Sequence, residues 1–160
     1  MRLSAGILLY RHRAGGALEV LLVHPGGPFW RRRDVGAWTI PKGAPLDGED
    51  SETAARREFA EELGAPAVGP LTPLGRIRQK GGKWVEAFAL EGAFDPRTLS
   101  SNRFTTEWPP RSGNISTFPE VDRADWFSLA EARDKINEAQ RPLLDLLVDA
   151  LASIEARPEV

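Results

Sequence analysis

The stretch Gly43–Ala65 reads GAPLDGEDSETAARREFAEELGA. Its second half carries the marks of a helix. Asp50 or Ser51 can N-cap the segment, and Gly64 stands where a C′ glycine ends one. Between them Ala55, Phe59 and Leu63 recur at i, i+4 and i+8. That is the apolar stripe of a helix of about three turns, from roughly Ser51 to Leu63. Glu58, Glu61 and Glu62 share an arc beside the stripe, at the margin between core and water. Like charges three and four residues apart repel, each pair costing ~0.2–0.5 kcal/mol.

A solvated helix face is the ordinary reading of three such glutamates taken alone. Carboxylates that repel become favourable when a hard divalent cation sits between them. Mg²⁺ takes oxygen ligands in octahedral geometry, keeps several waters, and is held by one or two carboxylates together with substrate phosphates. The arc therefore points to magnesium and a polyphosphate.

Outward from the helix, LSAGILLYR and LEVLLVH are β-type runs flanking the turn RAGGA, which predicts a hairpin of core strands. HPGGPFWRRRDVGAW is a loop rich in glycine, proline, aromatics and arginine; AWTIPKG is a short strand that a proline stops. Beyond the helix, LTPLGRIRQKGGKWVEAFAL reads as strand, Gly-Gly turn, strand. Gly92 to Glu120, with four prolines and the rigid EWPPRSG, reads as one long irregular loop, a feature usually functional or disordered. ADWFSL is a closing strand, and SLAEARDKI and QRPLLDLLVDALASI are helical. One helix amid strands, followed by terminal helices, predicts an α+β fold with helices layered on a mixed sheet. The expected organisation is a single domain over 1–154 and a polar tail over 155–160.

The 160 residues are 41% hydrophobic and 28% charged, ordinary for a globular protein. A net charge of −2 gives no basic field for a long nucleic acid. The absence of cysteine excludes disulfides and thiolate metal sites. AGILLY is too short for a signal core, and no run approaches the ~18 apolar residues of a membrane helix. A cytoplasmic location and no membrane partner are expected; the oligomeric state is left open.

The same 23 residues resemble the Nudix box, Gly-x5-Glu-x7-Arg-Glu-U-x-Glu-Glu-x-Gly-U with U a bulky apolar residue. Gly43, Glu49, Arg57, Glu58, Glu61, Glu62 and Gly64 occupy its seven fixed positions at both spacings. Phe59 suits the first U, and Ala65 is small for the second. The resemblance implies an α/β/α sandwich with a mixed central sheet and a loop-helix-loop site. It implies Mg²⁺, with Mn²⁺ as the alternative, held by Glu58, Glu61 and Glu62, one of which is also a candidate base. It implies that Arg57 holds a catalytic carboxylate in place and that Glu49 supports the loop or a second metal. Gly43 would let the backbone approach closely, with the Lys42 carbonyl as a further ligand. Glu120, six residues before Trp126, resembles the glutamate that the family adds from a late loop; Glu107 is its rival. The reaction implied is attack of water on a phosphorus of a nucleoside diphosphate linked to another group. No Gly-x4-Gly-Lys-Ser/Thr phosphate loop is present.

For the substrate, RIRQK puts Arg76, Arg78 and Lys80 at alternate positions, on one face of a strand. Lys83, Arg31 to Arg33 and Lys42 add cations for a phosphate chain. Phe29, Trp30, Trp84 and Trp108 are candidates to stack on a base, with core or lid packing as the alternative. Tyr10 and Trp126 read as core, and His12 and His24 as structural. GAWTIPKG before the box resembles the diadenosine tetraphosphate hydrolase branch and some MutT-like members. Dinucleoside polyphosphates are the first expectation, nucleoside triphosphates including oxidised dGTP the second, with inositol pyrophosphates a further candidate. A Nudix-fold module that binds a nucleotide without cutting it is the reading of another class.

Overall fold

The computed structural model describes residues 2–155. Of the expected polar tail, 156–160 lie outside the described residues, and Glu155 closes the last helix. The strands are β1 (Arg2–His12), β2 (Leu18–Pro25), the two-residue β3 (Lys42–Gly43), β4 (Thr72–Arg78), β5 (Lys83–Glu91) and β8 (Val121–Ser128), with β1 and β2 buried continuously along their middles. They make one sheet in the order β4-β5-β1-β2-β8, with β3 paired to β1. β1 and β5 run parallel and the other pairs antiparallel, so the sheet is mixed as expected.

Successive side chains of a strand face opposite ways, and both faces are apolar. Leu8, Val20, Leu22, Ile77, Val85 and Phe127 pack with Leu143, Leu144 and Leu147 of α3 (Pro142–Glu155) and Ala132 of α2 (Leu129–Lys135). Ile7, Leu9, Leu21, Val23, Phe88 and Leu90 pack with Ala55, Phe59 and Leu63 of α1 (Ser51–Leu63) on the other face. The result is the α/β/α sandwich. Among the described residues no helix is long and apolar enough to cross a membrane.

β1 forks. Its end pairs with β2 (Tyr10 with Val20), while nearer its start Ala5 and Gly6 pair with Gly43 and Lys42. The chain before β3 is not the strand that AWTIPKG suggests. It touches the sheet through a single bridge, Thr39 to Val23, and through Ile7 N, which donates to Pro41 O at 3.1 Å; a second bridge joins Trp38 to Ile136, just past the last residue of α2. Proline has no N–H to extend a ladder, so only Lys42 and Gly43 pair, and they are delivered beside α1.

The stretch Gly92–Glu120 also differs from the expected irregular loop. It folds into a second, two-stranded sheet of β6 (Arg103–Glu107) and β7 (Ile115–Pro119), with Phe104 opposite Phe118. Tyr10 is buried, as expected; Trp126 is only half-buried, its indole N–H donating to Phe94 O at 2.9 Å and its ring covered by Arg11.

Candidate active site

α1 begins and ends where its sequence dictates. Asp50 caps it, accepting from Thr53 N at 2.7 Å, and Gly64 leaves it in the left-handed conformation at φ 78°. Burying Phe59 and Leu63 against the sheet fixes the helix's rotation. That rotation turns Glu58 and Glu62 toward the β3 loop.

Arg57 organises the acids. Its Nε and Nη2 donate to the two oxygens of Glu49, each at 2.9 Å. Its Nη1 donates to Glu58 Oε1 at 3.0 Å and Glu61 Oε2 at 3.1 Å, and Nη2 also reaches Ala44 O at 3.1 Å. Glu49 in turn accepts from Leu46 N at 3.0 Å, closing the loop that precedes the helix. These bonds hold the Glu49 carboxyl below its ordinary range. Glu58 behaves oppositely: burial pushes its carboxyl up, and the bond from Arg57 only partly offsets this.

Glu62 lies deepest of the three. Burial raises its pKa to about 8, against a hydrogen bond from Lys42 N to Oε2 at 2.9 Å and the attraction of the Lys42 ammonium. Burial also pushes the Lys42 ammonium's pKa down, with Glu62 opposing. Lys42 thus meets Glu62 with its amide, and Gly43 beside it admits Glu58. A Cβ at Gly43 would lie 2.1 Å from the Glu58 carboxylate carbon, so any larger residue there would displace that carboxylate.

Of the two late-loop acids, Glu120 is the one brought to the helix: its charge contributes to raising both Glu58 and Glu62. Glu107 lies in the distal hairpin, accepting from Arg111 N at 2.6 Å. Among the described residues, no three acidic or histidine side chains are already gathered as a metal cluster. The donor set nonetheless suits a hard cation. Five carboxylates (Glu49, Glu58, Glu61, Glu62, Glu120) face two cationic side chains, Arg57 and Lys42, and two of the carboxyls are pushed up by burial. A divalent ion supplies the charge that this burial lacks.

The expected phosphate-binding cations divide. Arg76 is engaged, its Nε donating to Glu86 Oε1 at 3.0 Å across the β4–β5 pair. Arg78 is exposed, with its guanidinium 6.0 Å from the half-buried Trp84 ring. Lys80 does not continue the row: β4 ends at Arg78, and Lys80 sits in a 3₁₀ turn beside a cavity lined by Gln79, Asn137 and Glu138. Lys83 faces Lys42 closely enough to help push its ammonium down. Arg33 stacks on Phe29, 4.3 Å from the ring centre, and lies 5.6 Å from that of Trp30.

Around that loop His24 is structural, as expected; the sequence reading missed its distant partners and the cleft that β6 helps to form. His24 is fully buried, with Nδ1 2.7 Å from Asp122 Oδ1 and Nε2 2.6 Å from Arg33 O. Phe104 and Thr106 of β6 close a cleft with residues 26–30. The alternation in RFTTE and ISTFP was the available signal for the latter.

The family model for the NUDIX domain matches residues 1–147. An RNA pyrophosphohydrolase of Caulobacter vibrioides is 44% identical over 54 residues, 31% of this chain and 31% of that protein. The match thus spans about a third of the length of such curated relatives. Among solved structures, a C. elegans Ap4A hydrolase in a binary complex superposes with a TM-score of 0.64 at 25% identity, over 94% of this chain and 98% of that one. A mutT/nudix family protein from Listeria innocua superposes at 0.63 and 19% identity, over 96% of both chains.

Proposed function

Because the chain belongs to the NUDIX family, we propose that it is a pyrophosphohydrolase dependent on Mg²⁺ or Mn²⁺. Its substrate is a nucleoside diphosphate linked to another group, first of all dinucleoside polyphosphates of the diadenosine tetraphosphate kind. The observation that carries the reading is the carboxylate set ordered by Arg57, with the half-buried Glu58 and Glu62 outnumbering their cationic partners. The resemblance to the C. elegans Ap4A hydrolase over nearly all of both chains supports the choice of substrate.

Glu58, Glu61 and Glu62 would hold the cation, with the Lys42 carbonyl beside them. When bound, the cation supplies charge neutralisation at the phosphate oxygens and acidification of the attacking water. Arg57 keeps Glu58 and Glu61 aimed by charge-assisted hydrogen bonds, and Glu49 keeps Arg57 aimed. Glu120 comes from the bend between β7 and β8 and has no bond to Arg57 among the described residues, so it is free to take the proton from water. The nucleotide leaves with the electron pair of the broken P–O bond, without a covalent enzyme intermediate. Arg78, Lys83 and Arg33 meet the phosphates; Arg76 and Lys80 contribute from farther out.

A second reading, attack on a nucleoside triphosphate to give monophosphate and pyrophosphate, draws on the 54-residue match to the RNA pyrophosphohydrolase. Product analysis by anion-exchange chromatography, with Mg²⁺ and with chelator, separates the two. ATP plus AMP from diadenosine tetraphosphate, at the highest kcat/KM of a panel, is the expected result. A triphosphate as best substrate selects the second reading. Mg²⁺-dependent nucleotide binding with no cleavage of the panel would leave a non-cleaving binding module.

A further inference from the structure

The β6–β7 hairpin and the loop after β2 enclose a cleft of about 450 Å³. Its walls are Phe29 and Trp30 on the loop and Phe104, Trp108 and Pro110 on the hairpin. Phe29 is 60% and Trp108 39% exposed, so two aromatic side chains reach solvent across one gap, with Arg33 over one face of Phe29. The floor leaves no room for larger side chains. A Cβ at Gly26 would lie 1.9 Å from Pro119 O, and one at Gly27, where φ is 96°, would lie 2.9 Å from the Phe104 ring.

Two further observations say what kind of molecule fits. A neighbouring hollow shares Pro28, Phe29 and Trp108 and is bordered by Arg31, Arg32 and Arg33, so three cations flank the apolar cleft. An aromatic slot beside a cationic rim is complementary to a planar base carrying phosphates. The cleft is also tied to α1 by an unbroken run of backbone bonds. Asn102 N donates to Glu61 O at 2.8 Å, Glu120 N to Asn102 O at 2.8 Å, and Gly26 N to Glu120 O at 2.9 Å. The floor of the cleft and the acids of α1 therefore hold a fixed separation, bridged by Glu120.

We propose that this cleft is the purine subsite, in which Phe29 and Trp108 stack on the base and Arg31–Arg33 guide its phosphate chain toward α1. The inference deepens the hydrolase reading and rests on it for the direction of that chain. Glu107 lines the cleft and its carboxylate only accepts hydrogen bonds, so it suits a base with an amino group.

The test is calorimetric binding to the metal-free protein of AMP and GMP against ribose 5-phosphate, which has the phosphate without the base. One aromatic face stacked on a base is worth roughly tenfold in affinity or more. The purine nucleotides are expected to bind at least tenfold tighter than ribose 5-phosphate, and Trp108→Ala and Phe29→Ala each to remove most of that gap. Circular dichroism of both exposed-site variants checks that the fold is kept. With Mg²⁺, the same variants raise KM for diadenosine tetraphosphate tenfold while kcat stays within about twofold. Equal binding of AMP and ribose 5-phosphate, or a gap untouched by either variant, overturns the purine subsite even if the protein cleaves its substrate. Loss of self-association in Trp108→Ala without a nucleotide preference would likewise overturn it and show a contact between copies of this chain. A base preference in a protein that cleaves no phosphoanhydride keeps the subsite and overturns the hydrolase reading.

Discussion

Arg57 grips Glu49 at two points, Nε to Oε2 and Nη2 to Oε1, each at 2.9 Å, while its remaining Nη1 reaches Glu58 and Glu61. The planar guanidinium is thus fixed by one carboxylate and aims two others. A lysine has a single ammonium and cannot make both contacts with a defined orientation. Arg57→Lys is expected to lower kcat by about 10–100-fold, the usual effect of losing a partner that orients metal ligands. Steady-state kinetics with saturating Mg²⁺ and a thermal melt check it. A kcat equal to the wild type would remove Arg57 from the orienting role.

Glu62 sets a pH dependence. Its carboxyl rises from the ordinary 4.5 to about 8 on folding because it is buried. Between those values the folded protein keeps a proton that the unfolded chain has lost, so stability is full below pH 4.5 and falls as pH rises to about 8. Burial of Glu58 acts in the same direction. Glu62→Gln keeps an acceptor for Lys42 N and carries no charge. At pH 9 the metal-free variant is expected to be more stable than the wild type by about 3 kcal/mol, counting ~1.4 kcal/mol per pKa unit and discounting for partial access of water. Near pH 4 the two converge. Mg²⁺ reverses the order at high pH, because it stabilises only the carboxylate. Turnover of the variant falls by orders of magnitude. Parallel denaturant curves of the two proteins across pH would count against this account.

Arg78 is the free member of the β4 row, since Arg76 is held by Glu86 and Lys80 lies past the strand's end. Exposed charge pairs are worth up to ~1 kcal/mol, or about fivefold. Arg78→Ala is expected to raise KM about fivefold for a tetraphosphate-linked substrate and less for a diphosphate-linked one. Equal effects on both would take Arg78 out of the phosphate path.

Local rules and distant ones were not equally legible in the sequence. The cap at Asp50, the stop at Gly64 and the stripe Ala55–Phe59–Leu63 depend on neighbours within four residues, and the helix formed between the expected bounds. The acids of α1 followed, because a helix fixes which residues share an arc. The β6–β7 hairpin was hidden by its turn: EWPPRSG carries four turn formers, Pro109, Pro110, Ser112 and Gly113, and the seven connecting residues from Trp108 to Asn114 exceed a short hairpin loop. The expected strand across AWTIPKG failed because Pro41 interrupts the ladder, leaving Lys42 and Gly43 to pair. The engagement of Arg76 and of His24 depends on partners on other strands, at separations of 10 and 98 residues. No local pattern carries that information.

His24 shows what such a distant contact does. It is fully buried on β2, and its two ring nitrogens face Asp122 Oδ1 at 2.7 Å and Arg33 O at 2.6 Å. With an oxygen within hydrogen-bond distance of each ring nitrogen, the side chain clamps the arginine-rich loop to the start of β8. Trp38 meets the ring edge-on at 5.3 Å and leaves little room for water. In His24→Leu the volume is kept and both polar contacts are lost. Each buried acceptor left unpaired costs about 1–3 kcal/mol, less for Asp122, which is partly solvated. A net loss of about 2–3 kcal/mol is expected, or about 5–10 °C in Tm. The loop loses its anchor at Arg33, so KM for nucleotides should rise while kcat at saturation changes little, because α1 and Arg57 are untouched. Denaturant unfolding measures the first effect and steady-state kinetics the second. A destabilised variant with unchanged KM would mean that His24 secures β2 against β8 and nothing more; a fall in kcat at constant KM would place its influence on the acids of α1 instead.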